Sequence, residues 1–294
     1  MISLGSTRLM AKIVTEFSPG NSGQWRNRFL ALIPGLFALA VLLCPVAQAQ
    51  GEQKDPPAPS ANLPERAGNL AKQLYGLPLD ESGPITSQIQ DLVLMHVQQW
   101  LVDQSNKGAP TDVDVRRELE RVFAQVQYPI YAWPAVFLRP WKQATLYGVG
   151  YTLGWSDYDR SNVIALFEKG QGQPRLAVIS HFAPHTDLHY AFMEPAATGD
   201  FRFLVYGTRL GKSQRRLTAV LYSFDGRTLK PLWQLQDAYD GRISVGRDFV
   251  TIRYLNENEY VRQTAQRRKP PRYESTYKAT AHGLELESTR AIPF

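Results

Sequence analysis

The chain has 294 residues, with 33 Lys and Arg against 27 Asp and Glu, for a formal net charge of +6. Such a small excess gives no support for nucleic acid as a partner. Cys44 is the only cysteine, which excludes an intrachain disulfide.

Residues 1–49 are predicted to be a signal peptide. Arg26 and Arg28 precede an apolar run that extends from Phe29 to Cys44, and the segment ends Ala47-Gln48-Ala49. A positive flank, an apolar centre and small residues before the cleavage point are the three parts of a secretory signal. We therefore expect cleavage after Ala49, with Ala47 and Ala49 as the residues that the peptidase recognises.

Cleavage there would change the character of the chain. It removes Cys44 and half of the net positive charge, so the mature protein would be cysteine-free and only mildly basic. We expect it to work in the periplasm, elsewhere in the cell envelope or as a secreted protein. The alternative is an uncleaved anchor, because Phe29 to Ala47 approaches the roughly 20 apolar residues of a spanning helix. Membrane contact is expected only through such a retained segment.

Residues 50–64 are predicted to be a disordered linker. They contain four prolines and no apolar periodicity. A segment with so little to bury cannot offset the entropy lost on ordering.

Residues 65–127 are predicted to form a helical region of two or three helices. A first helix is expected over Glu65–Tyr75, and Ser82-Gly83-Pro84 is a typical start for a second. Thr111 is placed to cap a third, with acidic residues in its first turn. A unit of this size is expected to pack on the rest of the chain.

Residues 128–294 are predicted to form an antiparallel β-rich domain. They open with an aromatic and proline-rich junction, Tyr128–Trp141, which lines a groove or closes the interface between helices and sheet. Short apolar segments and turn residues such as Asp240-Gly241 then follow one another without a helix signal. The predicted class is α+β, with the helical segment packed on a C-terminal antiparallel β-meander. A weak echo at an offset of 55 residues, between Ile164–Gly170 and Ala219–Asp225, leaves a propeller-like arrangement and a curled sandwich both open.

Histidines and an aspartate cluster between residues 181 and 189. In an extended segment His185, Asp187 and His189 share one face, with His181 close by. Two imidazoles and a carboxylate suit a divalent metal such as zinc, and an open coordination position could activate water. The predicted metal ligands are therefore His181, His185, Asp187 and His189, and the opposing interpretation is a polar strand edge.

Other patterns give weaker indications of chemistry. Asp157–Asn162 resembles part of a calcium loop but lacks its glycine and closing glutamate, so a turn is expected. A basic run around Pro270-Pro271 is predicted to be a solvated loop between strands, and the acidic pair Glu257 and Glu259 a solvated face. No Gly-x-Ser-x-Gly motif occurs. We therefore expect a non-catalytic module that binds an envelope protein or a glycan, without a cofactor. A metal-dependent hydrolase built on the histidine cluster is the alternative.

Overall fold

The structure is a computed structural model that describes residues 63–75, 77–78, 81–125, 134–153, 161–182, 187–193, 199–209 and 214–292. The predicted signal peptide lies outside the described residues, as do residues 50–62 of the predicted linker. Among the described helices, none has both the length and the apolar character needed to cross a membrane.

Three helices come first in the described chain: α1 (Leu63–Leu74), α2 (Gly83–Ser105) and α3 (Asp112–Gln125). Helix α2 has Pro84 in its first turn, where a missing N–H costs no hydrogen bond. A reciprocal pair of bonds caps α3: Thr111 Oγ1 accepts the N–H of Asp114 at 3.2 Å, and the Asp114 carboxylate accepts the N–H of Thr111 at 3.0 Å. The sequence signals for these helix starts are local.

The described strands form two antiparallel sheets, and within each sheet the strands follow chain order. The four-stranded sheet contains β1 (Ala135–Trp141), β2 (Ala144–Leu153), β3 (Ser161–Lys169) and β4 (Arg175–Phe182). The seven-stranded sheet contains β5 (His189–Ala191), β6 (Phe201–Arg209), β7 (Arg216–Phe224), β8 (Leu229–Val245), β9 (Phe249–Leu255), β10 (Arg272–Thr280) and β11 (Gly283–Ile292). A fourth helix, α4 (Glu257–Ala265), connects β9 to β10.

Most of β2 and β3 and the first three residues of β1 are buried. Odd-numbered residues of β2, such as Tyr147 and Tyr151, pack in one cluster with helices α1–α3. Leu146 on β2 packs instead in a second cluster, shared with the seven-stranded sheet. Because a strand presents alternate residues to opposite faces, the four-stranded sheet forms a middle layer between the helices and the second sheet.

Aromatic rings dominate the cluster between the two sheets. Phe137 on β1 is at its centre, with ring centroids 4.9 Å from both Tyr190 and Phe192 and 5.6 Å from Phe203. Its cross-strand partner is Gly148, where a Cβ would lie 1.8 Å from the Phe137 ring. The glycine therefore leaves room for the ring.

The seven-stranded sheet is bent so that non-neighbouring strands meet. Leu204 on β6, Ile252 on β9 and Leu284 on β11 belong to one buried cluster. The buried Arg202 guanidinium on β6 donates to the carbonyls of Thr280 and Ala281, at 2.7 and 2.5 Å, in the turn between β10 and β11. Strand β8 is 17 residues long and is irregular against both neighbours, and such bulges bend a strand.

The predicted α+β class, with a β-rich C-terminal part, is confirmed. Neither a propeller nor a closed barrel is shown by the strands that the structure describes.

Two local predictions were wrong, and one strand was not predicted. Residues 135–141 of the aromatic junction, inside the predicted β-rich domain, form β1, with Pro140 accommodated in this edge strand. Asp240-Gly241 lies in a bulge of a continuous β8 rather than in a turn between two strands. Residues 257–265, expected to be strand or loop, form α4, because the Asn256 side chain accepts the N–H of Glu259 at 3.0 Å and caps the helix.

Candidate functional site

Asp187 and His189 form a contacting pair at the start of the seven-stranded sheet. His189 is the first residue of β5, and its Nε2 lies 3.2 Å from Asp187 Oδ2. Residues two apart in an extended segment lie on the same face, which accounts for the contact. Sequence reasoning predicted this juxtaposition.

Strand β6 fixes both members of the pair. Asp187 Oδ1 accepts the backbone N–H of Thr208 at 2.5 Å and the Thr208 hydroxyl at 2.8 Å. The His189 ring stacks on Tyr206 with centroids 5.3 Å apart, and these two residues are cross-strand partners. Tyr206 and Thr208 were not identified from the sequence; their only signal is a spacing of two within a strand.

Hydrogen bonding decides the charge state of Asp187. Burial favours its neutral form, but the bonds from His189 and Thr208 outweigh burial and lower the pKa to about 2. The bond to Asp187 in turn raises the pKa of His189, against the opposing effect of partial burial. Since the side chains are 39% and 52% exposed, both remain accessible to a ligand.

Two clefts meet at this pair. We call the first the sheet cleft; its volume is about 440 Å³ and it lies along β6, β7 and the bulged part of β8. The second, the helix cleft, has a volume of about 770 Å³ and lies between α3, β1 and β5. Asp187, His189 and Tyr206 line both. A ligand larger than one cleft can therefore contact the pair from either side.

Unusual backbone shapes the wall of the sheet cleft. Asp240 has a φ of 46°, in the left-handed region that favours glycine and tolerates aspartate. At the buried Gly241, a Cβ would lie 2.6 Å from Leu217 Cβ and 2.8 Å from the Ala238 carbonyl oxygen. The Asp240 carboxylate is bound by Arg272. This bulge places Arg242 on the cleft lining.

The helix cleft combines rings with charged groups. Tyr190, Phe192 and Tyr206 line it together with acidic and basic residues of α3. The Arg139 guanidinium lies over the Phe192 ring, 4.6 Å from its centroid. Apolar ring surface beside a few polar groups is typical of a ligand-binding cleft.

The predicted metal ligands are only partly brought together. Asp187 and His189 are in contact, whereas His181 lies on β4 of the other sheet and His185 lies outside the described residues. Among the described side chains, no group of three or more His, Cys, Asp or Glu residues is arranged to hold a metal ion. The metal site stays a prediction. Residues 157–160 of the resembled calcium loop also fall outside the described part, and Asn162 lies on β3.

A scan of protein-family models and a search of curated proteins found no match to this chain. In a hydrolytic triad the histidine lies between the nucleophile and the carboxylate, so that it can take the nucleophile's proton. Here the carboxylate lies between Thr208 and His189. With a pKa of about 2, Asp187 is a weak base, so this order of groups suits ligand binding better than acyl transfer.

Proposed function

We propose that the chain is a non-catalytic binding module, exported to the cell envelope or secreted, whose ligand is a glycan or an envelope protein held at Asp187 and His189. One observation carries the proposal. The Asp187 carboxylate is held between Thr208 and His189 as an accessible hydrogen-bonding group, in an order that does not activate a nucleophile. The scaffold we infer is a curled sandwich covered by the helices.

The two clefts support a ligand with both polar groups and an apolar face. Tyr190 and Phe192 line the helix cleft on one side of the pair. Backbone and side-chain polar groups of β6 to β8 lie on the other side. A sugar ring, which presents C–H groups on its faces and hydroxyls around its edge, fits this division, and so does an amphipathic peptide segment.

The export part of the proposal is supported by the sequence of residues 26–49. Mass measurement of the chain recovered from an exporting cell tests it directly. A product that starts at Gln50 is expected. Retention of the N-terminal segment in a membrane fraction would instead favour an anchored protein.

Binding is tested with the purified chain lacking residues 1–49, on arrays of envelope glycans and on immobilised envelope proteins. The Asp187→Asn and His189→Ala variants are expected to lose at least tenfold in affinity for the captured ligand. His282→Ala is the matched control, because His282 is exposed in the turn between β10 and β11. Equal binding by all three variants would refute the assignment of the site.

The second candidate, a metal-dependent hydrolase, is favoured by the contact of two of its four predicted ligands. Metal analysis separates the two functions. For a binding module, the purified chain should contain no stoichiometric zinc, copper or manganese, and a chelator should leave its melting temperature unchanged. Stoichiometric metal that is lost in a His185→Ala variant would favour the hydrolase.

A further inference from the structure

We propose that the sheet cleft binds the carboxylate or phosphate group of an acidic oligosaccharide, with Arg215 and Arg242 as the residues that recognise the anion. The inference rests on the proposed binding function and names the ligand chemistry of the same site. Both arginines line the sheet cleft, and both are exposed.

In the lining of the sheet cleft, the carboxylates have bonding partners and the two arginines form no ion pair with a described residue. Of its two carboxylates, Asp187 is bound by Thr208 and His189, and Asp240 is bound by Arg272. Within the described residues, neither Arg215 nor Arg242 forms an ion pair. The cleft lining therefore carries two arginines without a carboxylate partner in the described part of the chain, while both of its carboxylates already have hydrogen-bonding partners.

The fold holds these two arginines next to each other, although 26 residues separate them in the chain. The backbone carbonyl of Arg215, just before β7, accepts the N–H of Asp240 at 2.7 Å. Asp240 and Gly241 form the bulge of β8, and Arg242 follows directly. The left-handed backbone of Asp240 thus serves to bring the two guanidinium-bearing segments to the same cleft. Guanidinium groups bind carboxylate and phosphate oxygens through paired N–H donors.

An oligosaccharide is favoured over a small free anion by the joined clefts. The anionic group would occupy the sheet cleft, while a neighbouring sugar ring reaches past His189 to the aromatic rings of the helix cleft. Arg267, Arg268 and Lys269 are exposed on the connection between α4 and β10, and β10 begins with Arg272, which binds Asp240 of the cleft lining.

The test compares two trisaccharides by calorimetry on the chain lacking residues 1–49. Trigalacturonic acid carries carboxylates, and maltotriose is a neutral trisaccharide. The acidic sugar is expected to bind at least tenfold more tightly, with an affinity that falls as salt rises from 50 to 500 mM and with competition by inorganic phosphate. Arg215→Ala and Arg242→Ala should each weaken its binding about tenfold, the loss typical of one charge-assisted contact.

Arg227→Ala is the matched control. It removes the same charge from an exposed turn that follows β7, at the opposite end of this strand from Arg215, and should leave the affinity unchanged. Equal affinity for the two sugars, equal losses in all three arginine variants, or no binding of either sugar would overturn the proposal. If glycan or protein binding then still depended on Asp187 and His189, the binding function would stand without the anion site. Turnover of a ligand would refute both.

Discussion

Gly148→Ala is expected to displace the central ring between the two sheets. The new methyl carbon would lie 1.8 Å from Phe137 Cε1, and Gly148 is the direct cross-strand partner of Phe137. The ring cannot retreat easily because Tyr190 and Phe192 pack against it. Overpacking a core costs about 1–3 kcal/mol, and this contact should reach the upper end. Urea denaturation followed by circular dichroism measures the loss.

A double-mutant cycle tests whether Gly148 is needed because the Phe137 ring fills the space beside it. Phe137→Ala alone should cost about 3–5 kcal/mol through the cavity it leaves. In the double variant the alanine methyl at 148 enters that space, so the combined loss should be about 1–2 kcal/mol smaller than the sum of the single losses.

Gly68→Ala is the control for the backbone effect of the substitution. Gly68 lies inside α1, and no heavy atom would lie within 4 Å of its new Cβ. Because alanine favours a helix over glycine, this variant should gain about 0.5–1 kcal/mol. Strict additivity of the Phe137 and Gly148 effects would refute the steric argument.

Three further predictions follow from other contacts. Asp187→Asn should bring the pKa of His189 down toward 6.5 in an NMR titration, since its raised pKa depends on the carboxylate. In the wild type, His189 contributes fully to stability below pH 6.5 and loses this contribution as the pH rises through its raised pKa. Asp187 contributes fully above pH 3.8 and loses its contribution as the pH falls toward 2. Thr111→Ala should destabilise the protein by about 1 kcal/mol in thermal denaturation because it removes the cap of α3, and an unchanged melting temperature would contradict that role. Leu101→Ala should lower the free energy of unfolding by about 2–5 kcal/mol because the side chain is fully buried. Leu286→Ala should change it by less than about 0.5 kcal/mol because that residue is 58% exposed. Similar losses of stability in the two variants would contradict this reasoning.

The helices could be predicted because their signals are local. Pro84 at the start of α2 and Thr111 before α3 each act within one turn of the backbone. Apolar residues at helical spacing then identify the buried face. The cap of α4 is equally local, at Asn256, but Glu257 and Glu259 suggested alternation on a strand. The helical interpretation was missed because the surrounding segments are all strands.

Strand boundaries were harder to predict where the backbone departs from regular pairing. Asp240-Gly241 has the composition of a turn, yet β8 continues through it as a bulge. Only contacts with β7 and β9, which are distant in sequence, decide between these outcomes. Pro140 is tolerated in β1 because, among the described strands, only β2 pairs with it. The division into two sheets likewise depends on which faces become buried together.

Two residues of the candidate site, Asp187 and His189, could be predicted from the sequence. Asp187 and His189 are two residues apart, so an extended chain places them together. Thr208 is brought to them by the pairing of β5 with β6, and Arg242 by the bulge in β8. Neither relation has a signature in the order of residues.

The chain-order pairing of the strands has a consequence for folding kinetics. Every described strand pairs only with strands adjacent to it in the chain, so each hairpin can form without waiting for a distant segment. Contacts across the bend of the seven-stranded sheet are different: Arg202 must find carbonyls that lie 78 and 79 residues away. Closing so long a loop is entropically costly. We therefore expect the rate of folding to be limited by this closure rather than by strand pairing.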